Sequence, residues 1–437
     1  MSSGSLRRAG AVLLVLGVVG SAATVPAYAE PSPSPSPSSG AQQWSPISIA
    51  AAGDCKFPAE NVKSKPWALQ RVFLDELWKG PDKDHPRTGR NAETGKPVLV
   101  AVIDTGVDAV NPQLAGKVQN GGSLLKNRQN GAVIEGTGLD DPVGHGTKVA
   151  GIIAASPMDG VGFVGLAKDA QILSIRQNDA EGNGDVGTLV DAIKIALDTH
   201  VQVINISQDV RVEEGKAFDH QKELEDILTR AENENVVVVA SSGNDGNEGL
   251  TYPASYDTVL AVGASDRNNE RAPFSQYGDF VDVAAPGVDM LSTVPKGGQC
   301  TDNGTSFSAP YVSGLAAILK GAYPHWTAQQ IRTRIEQTAQ RNERDRNKFI
   351  GWGVVDPVKA VESSVVTGPS ESPHADAPVK LDSMPLVAQP LGLAETQADR
   401  DRRTGTFVLG AGALVVAGLA GGAIVSRDMR RRRGQHE

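Results

Sequence analysis

Five runs of apolar, largely β-branched residues, at 98–103, 172–175, 201–206, 236–239 and 259–262, set the tightest limit on how this chain folds. Continuous runs of this length suit strands covered on both faces, as in a parallel sheet. The stretches between them repeat with helical spacing. Residues 185–200 place Leu189, Ile193 and Leu197 on one face, and residues 222–235 do the same with Leu224 and Leu228. A further helix is predicted over 306–320, with Pro310 in about its first turn, where proline does least damage. After Pro324, Thr327 and Gln330 have the spacing of a capping box for a last helix to about residue 340. Strands alternating with helices predict an α/β fold, a doubly wound and mostly parallel sheet flanked by helices. In such sheets the ligand crevice lies beyond the carboxyl ends of strands.

Reactive side chains fall at such places. Val-Leu-Val-Ala-Val-Ile-Asp-Thr-Gly carries Asp104 at a strand end, Gly-His-Gly-Thr-Lys-Val-Ala-Gly carries His145, and Gly-Thr-Ser-Phe-Ser-Ala-Pro carries Ser306 ahead of a helix. A serine hydroxyl is a poor nucleophile until a base takes its proton, which is the role for His145. The imidazole must be held in one tautomer, and a buried carboxylate at Asp104 does that. Gly144 and Gly146 let backbone approach the imidazole closely, and Gly304 permits a tight turn before Ser306. The run at 236–239 ends in Ala240-Ser-Ser-Gly-Asn244-Asp-Gly, a turn able to present a donor to the oxygen of a carbonyl under attack.

In the order Asp, His, Ser, these motifs resemble the subtilisin-like serine proteases, the subtilases. The resemblance implies peptide-bond hydrolysis through an acyl-enzyme, with Asn244 and the Ser306 N–H as oxyanion donors. It also marks a departure. Subtilases commonly end the strand lining the substrate cleft in Ser-Leu-Gly-Gly, whereas this chain has Asn205-Ile-Ser207-Gln208-Asp209-Val210-Arg211. The resemblance thus gives Ser207, Gln208 and Asp209 as substrate-binding residues. Side chains at Gln208, Asp209 and Val210 narrow or recharge the pocket for the residue before the cut. Asp209 either attracts a basic residue there or points to solvent.

Further features are similar to the mycosins, membrane-anchored subtilases of type VII secretion systems. They are Lys65-Pro-Trp67-Ala-Leu-Gln-Arg71, Asn303-Gly-Thr-Ser306-Phe-Ser-Ala-Pro-Tyr-Val-Ser313-Gly and Gly351-Trp-Gly-Val-Val-Asp-Pro357. The layout agrees. Residues 1–29 read as a signal peptide, with Arg7 and Arg8 before an apolar stretch and Ala27-Tyr-Ala29 at the cleavage site. Residues 30–43 are a Pro/Ser-rich linker, 44–96 an N-terminal extension packed on the catalytic domain, 97–365 the protease domain and 366–405 a flexible linker. Residues 406–425 are long and apolar enough to span a bilayer, and 426–437 form a basic tail whose Arg427 and Arg430–433 mark the cytoplasmic side. Gly418 and Gly422 form one small-xxx-small pair on that helix. The catalytic domain is thus expected outside the cell membrane. The expected partners are a protein substrate, the membrane and, by resemblance, the type VII secretion membrane complex. A net charge of −9, with the tail as the one basic cluster, argues against nucleic acid.

Cys55 and Cys300 are the only cysteines, and an exported chain permits the single disulfide they can form; two free thiols are the other reading. The extension is either an inhibitory propeptide, as in many subtilases, or a wrap as in mycosins, docked by Trp67, Leu69, Phe73, Leu74 and Leu77. A bond at Cys55 favours the wrap. His85, His200, His220, His325, His374 and His436 lack zinc spacing, and Asp140-Asp141 and Glu213-Glu214 read as ordinary loops. Calcium is frequent in subtilases, but no ligand run has the EF-hand form, so no metal and no cofactor is assigned. The competing class is a subtilase fold whose main task is to stabilise a secretion complex.

Overall fold

The computed structural model describes residues 46–48 (backbone only), 55–80, 86–127, 130–211, 216–341, 343–362, 372–376 and 395–433. The expected signal peptide and Pro/Ser linker, Glu213-Glu214 and most of the second linker lie outside the described residues.

Along the chain the strands are β1 (Pro46–Ser48), β2 (Leu99–Asp104), β3 (Val118–Ser123), β4 (Gln171–Arg176), β5 (Asn183–Asp185), β6 (Val203–Ile206) and β7 (Val210–Arg211). They continue with β8 (Val237–Ser241), β9 (Thr251–Tyr252), β10 (Val259–Ser265), β11 (Val283–Pro286), β12 (Met290–Thr293) and β13 (Gln299–Asp302). The helices are α1 (Trp67–Gln70), α2 (Leu74–Trp78), α3 (His145–Ala154), α4 (Val186–Asp198), α5 (Gln221–Asn233), α6 (Thr305–Ala322), α7 (Ala328–Thr338), α8 (Pro357–Val361) and α9 (Gln397–Arg433).

Seven strands form one sheet in the order β11-β10-β8-β6-β2-β4-β3, with every neighbouring pair parallel. The five apolar runs are its interior strands. Alternation splits each strand between two cores. Val100 and Val102 of β2 face a cluster built with α3 and α6, while Ala101 and Ile103 face one built with α4 and α5. Strand order reverses around β2, which lies between β4 and β6, so its carboxyl end opens on the crevice of a doubly wound sheet.

Local signals set the helix starts. Asp185 caps α4 by accepting the Thr188 N–H at 3.0 Å, and Thr327 with Gln330 closes the capping box of α7. Pro310 lies in the second turn of α6, one turn later than the sequence suggested. Strands β3 and β11 escaped the sequence reading. The first is a polar, half-exposed edge, and the second is a four-residue edge ending in Pro286.

The segment carrying α1 and α2 packs on this sheet and its helices. Ala68, Leu69, Leu74 and Leu77 are buried in the core, and the indoles of Trp67 and Trp78 donate to the Val288 and Leu166 carbonyls. Phe73 corrects the predicted docking face: it sits at φ 50° before α2 with its ring 69% exposed. Cys55 and Cys300 are disulfide-bonded. Beyond the bond, Ala59 donates to the Gly297 carbonyl and Gln299 to the Glu60 carbonyl, so the extension runs along the β12–β13 hairpin. Strand β1 pairs antiparallel with β5, Ile47 opposite Gly184.

Part of the second linker is docked rather than free. His374 N–H donates to Gln337 Oε1 at 2.8 Å, Arg341 donates to the His374 carbonyl, and Asp376 N–H donates to the Arg344 carbonyl. Separately, α9 is one continuous helix, long and apolar enough to cross a membrane, and it begins inside the span expected to be linker.

Candidate active site

Asp104 ends β2, and His145 begins α3. The imidazole Nδ1 lies 2.8 Å from Asp104 Oδ1, both side chains 1% exposed. A carboxylate can only accept, so Nδ1 carries the proton and Nε2 is left as the basic nitrogen. Asp104 Oδ1 also accepts the Thr105 N–H at 2.8 Å. Among the described residues, Nε2 of His145 and Oδ2 of Asp104 are buried without a hydrogen-bond partner.

The neighbouring Asp141 is not an ordinary loop residue. It is buried, and its Oδ1 accepts from Gly144 N–H and Thr105 Oγ1 while Oδ2 accepts from Thr147 N–H and Oγ1. It thereby ties the segment after Asp104 to the first turn of α3. Burial pushes its carboxyl above the usual range, with the hydrogen bonds from Thr147, Thr105 and Gly144 pulling the other way. Asp140 is the exposed member of the pair, 3.6 Å from Arg176.

The glycines around His145 serve other neighbours than the imidazole. At Gly144, which has φ +84°, an added Cβ would meet the Phe57 ring at 2.2 Å. At Gly146 it would meet the Gly106 carbonyl oxygen at 2.0 Å. Phe57 of the N-terminal extension therefore lies directly over the residue that precedes His145.

Ser306 is the second residue of α6, so its N–H has no intrahelical carbonyl to bond. Its hydroxyl donates to the Ser207 carbonyl at 3.1 Å rather than to His145, and Ser207 Oγ donates to the Ser306 carbonyl at 2.9 Å. That carbonyl would ordinarily receive the N–H of residue 310, which is a proline and has none. Phe307, the next residue after Ser306, has its ring centroid 5.3 Å from that of His145. Asn244 lies just beyond β8, and its Oδ1 accepts both Thr305 N–H at 2.9 Å and Thr305 Oγ1 at 3.0 Å. The side chain is thus held to the start of α6 by its oxygen, which leaves the amide NH₂ as its donor.

The predicted pocket residues fall differently. Ser207 and Gln208 are buried, and the Gln208 amide donates to Gln177 Oε1 at 2.7 Å. Val210 points into the hydrophobic core and does not narrow a pocket. Asp209 neither faces solvent nor stands free to attract a basic substrate residue. It is buried, and its Oδ2 accepts from Arg211 Nε at 2.9 Å, while Arg211 Nη1 reaches Asp245 at 2.6 Å. Burial raises the Asp209 carboxyl, and Arg211 opposes that. Among the described residues no group of three or more His, Cys, Asp or Glu is arranged to hold a metal.

Residues 95–353 match the sequence model of the Subtilase family. The thermophilic serine proteinase of Bacillus sp. (strain AK1) is 40% identical over 245 residues, spanning 55% of this chain and 56% of that proteinase. Subtilisin NAT of Bacillus subtilis subsp. natto is 37% identical over 296 residues, 67% of this chain and 70% of that one. Among solved structures, MycP1 from Mycobacterium smegmatis superposes with a TM-score of 0.63 at 29% identity, covering 76% of this chain and 94% of that one. The MycP3 protease from the type VII (ESX-3) secretion system gives 0.59 at 29% identity, covering 73% and 92%.

Proposed function

The chain belongs to the subtilase family, and on that premise we propose that it is a membrane-anchored serine endopeptidase that cuts exported proteins beside a type VII secretion system. The observation that carries the chemistry is the 2.8 Å contact of Asp104 with His145 Nδ1, which leaves Nε2 basic and unpartnered beside the start of α6. In this reading the Ser306 hydroxyl turns from the Ser207 carbonyl to Nε2 as substrate binds. Its oxygen attacks the peptide carbonyl while Nε2 takes the proton. Asn244 and the Ser306 N–H hold the oxyanion. The C–N bond then breaks with the proton passing to the leaving amine, and water attacks the acyl-enzyme by the same route to free the acid and restore Ser306.

The cellular setting rests on likeness and composition. Two neighbours in fold are the MycP1 and MycP3 proteins, both named for type VII secretion systems, and α9 supplies one candidate membrane span ending in Arg430–433. Excess arginine after the span argues for a cytoplasmic tail and an external catalytic domain. A second reading, a component that chiefly stabilises the secretion complex, draws support from the buried Ser306 hydroxyl, which is committed to Ser207 rather than to the base.

One experiment separates them. Detergent-solubilised full-length protein and its Ser306→Ala variant are compared against a peptide library and with a fluorophosphonate label, and both proteins are tested for support of secretion. Cleavage and labelling lost in the variant are expected. Secretion unaffected by the variant, with no cleavage by either protein, would favour the stabilising role.

A further inference from the structure

Three residues after His145 the chain buries a lysine. Lys148 is 0% exposed, and its ammonium donates to Asp302 Oδ2 at 2.8 Å. Asp302 closes β13 four residues before Ser306, and its Oδ1 accepts the Asn303 N–H at 2.9 Å. The ammonium also stands 5.9 Å from the centre of the Phe307 ring, whose other neighbour is the imidazole of His145. On the backbone side, the Lys148 carbonyl accepts Ser292 Oγ and the Thr147 carbonyl accepts Thr293 Oγ1. The helix that carries the base and the hairpin that leads to the nucleophile are therefore joined by one buried ion pair and two hydrogen bonds.

Stability does not account for this pair. Two desolvated charges are often no better for stability than apolar side chains of the same volume. What an ammonium and a carboxylate at 2.8 Å supply is direction: one register of β13 on α3 satisfies both. We propose that Lys148 and Asp302 are positioning residues, which fix the approach to Ser306 against His145 and keep the charge beside the imidazole balanced. This rests on the proteolytic reading above. Among the described residues, Asp104 from β2 bonds the imidazole, Asp141 from the loop before α3 holds the first turn of that helix, and this pair ties α3 to β13.

The test uses full-length protein in detergent and an internally quenched peptide selected from the library, with kcat and KM followed against pH. Lys148→Met takes away the cation that faces Asp302. That favours the imidazolium, so the acidic limb of kcat/KM moves to higher pH. Asp302→Asn leaves the ammonium, and the limb moves to lower pH. Lys148→Met combined with Asp302→Leu restores neutrality without direction. Its limb returns to the parent position, kcat stays down about 10- to 100-fold, and KM changes by less than about threefold. Limbs that stay put or move the same way, or a double variant as fast as the parent, overturn the proposal. Where a single variant does not fold, the apolar double variant decides alone. Fluorophosphonate labelling of the parent is the separate check on the premise: a parent neither labelled nor active removes the proteolytic reading, whereas a labelled, active parent with unaltered variants removes only the positioning role.

Discussion

Ser207 and Ser306 exchange hydrogen bonds: the hydroxyl of each donates to the carbonyl of the other, at 2.9 and 3.1 Å. The residue just after β6 and the first turn of α6 are therefore one unit at this point. The bond to the Ser306 carbonyl exists because Pro310 cannot make it.

Ser207→Ala is expected to leave the Ser306 carbonyl buried and unpaired, at a cost of about 1–3 kcal/mol. Adding Pro310→Ala supplies the missing helical N–H and should recover part of that loss. Thermal unfolding of the two variants checks this, and a double variant less stable than Ser207→Ala would contradict the stated partnership.

Asn244→Ala should lower kcat by about 10²–10³, the usual loss for one oxyanion donor, with KM nearly unchanged. Asn244→Asp should fare no better, since a carboxylate accepts from Thr305 as the native amide does but has nothing to donate. Steady-state kinetics on one peptide, with thermal unfolding to show that the fold is kept, decide the matter.

Because Asp209 is already paired, Asp209→Ala should change the ratio of kcat/KM for basic over neutral peptides by less than about threefold. Arg211→Ala removes the cation shared by Asp209 and Asp245; buried Asp209 then moves further toward the neutral acid, and the charge freed on exposed Asp245 should raise that ratio by at most about tenfold, or about 1.4 kcal/mol. Matched peptides differing at one residue give the comparison. A large fall in the ratio for Asp209→Ala would restore the direct attraction read from the sequence.

Far from the cleft, burial and then the charge of Asp282 push the Glu336 carboxyl up to about 8, against the pull of Arg332 and Arg346. The folded state thus holds a proton that the unfolded chain releases near 4.5. Stability from this group is full below the unfolded value and is lost as pH rises toward 8. Glu336→Gln should therefore flatten the decline in Tm between pH 5 and pH 8 and leave the variant more stable at pH 8, on the order of 1–3 kcal/mol. Equal slopes for parent and variant would count against it.

Much of this was legible beforehand, for a definable reason. Interior strands such as β2 and β8 are apolar on both faces, so their runs announce them, whereas β3, with its Asn120 and two glycines, has no such pattern. Asp104, His145, Asn244 and Ser306 carry their surroundings in adjacent residues. Lys148 and Asp302 do not: they lie 154 residues apart, and only the fold shows that one answers the other. Asp209 and Arg211 were both in view, two apart with no residue between them but Val210. Residues two apart share a face only where the backbone is extended, and the sequence from Ser207 to Arg211 does not show that it is. The glycines beside His145 were recognised as close-approach sites, but the approaching groups, Phe57 and Gly106, come from elsewhere in the chain.

The Cys55–Cys300 bond spans 245 positions of chain, enclosing Asp104, His145, Ser207 and Asn244 while leaving Ser306 six residues outside. A single backbone cut anywhere inside that ring divides the chain in two yet sheds nothing. Such a nicked molecule keeps its mass under non-reducing conditions and parts into two fragments only when a thiol is added. Release of the extension from Cys55 onward thus demands two unlike events, a hydrolysis and a reduction, and a compartment that supplies only the first retains everything within the ring.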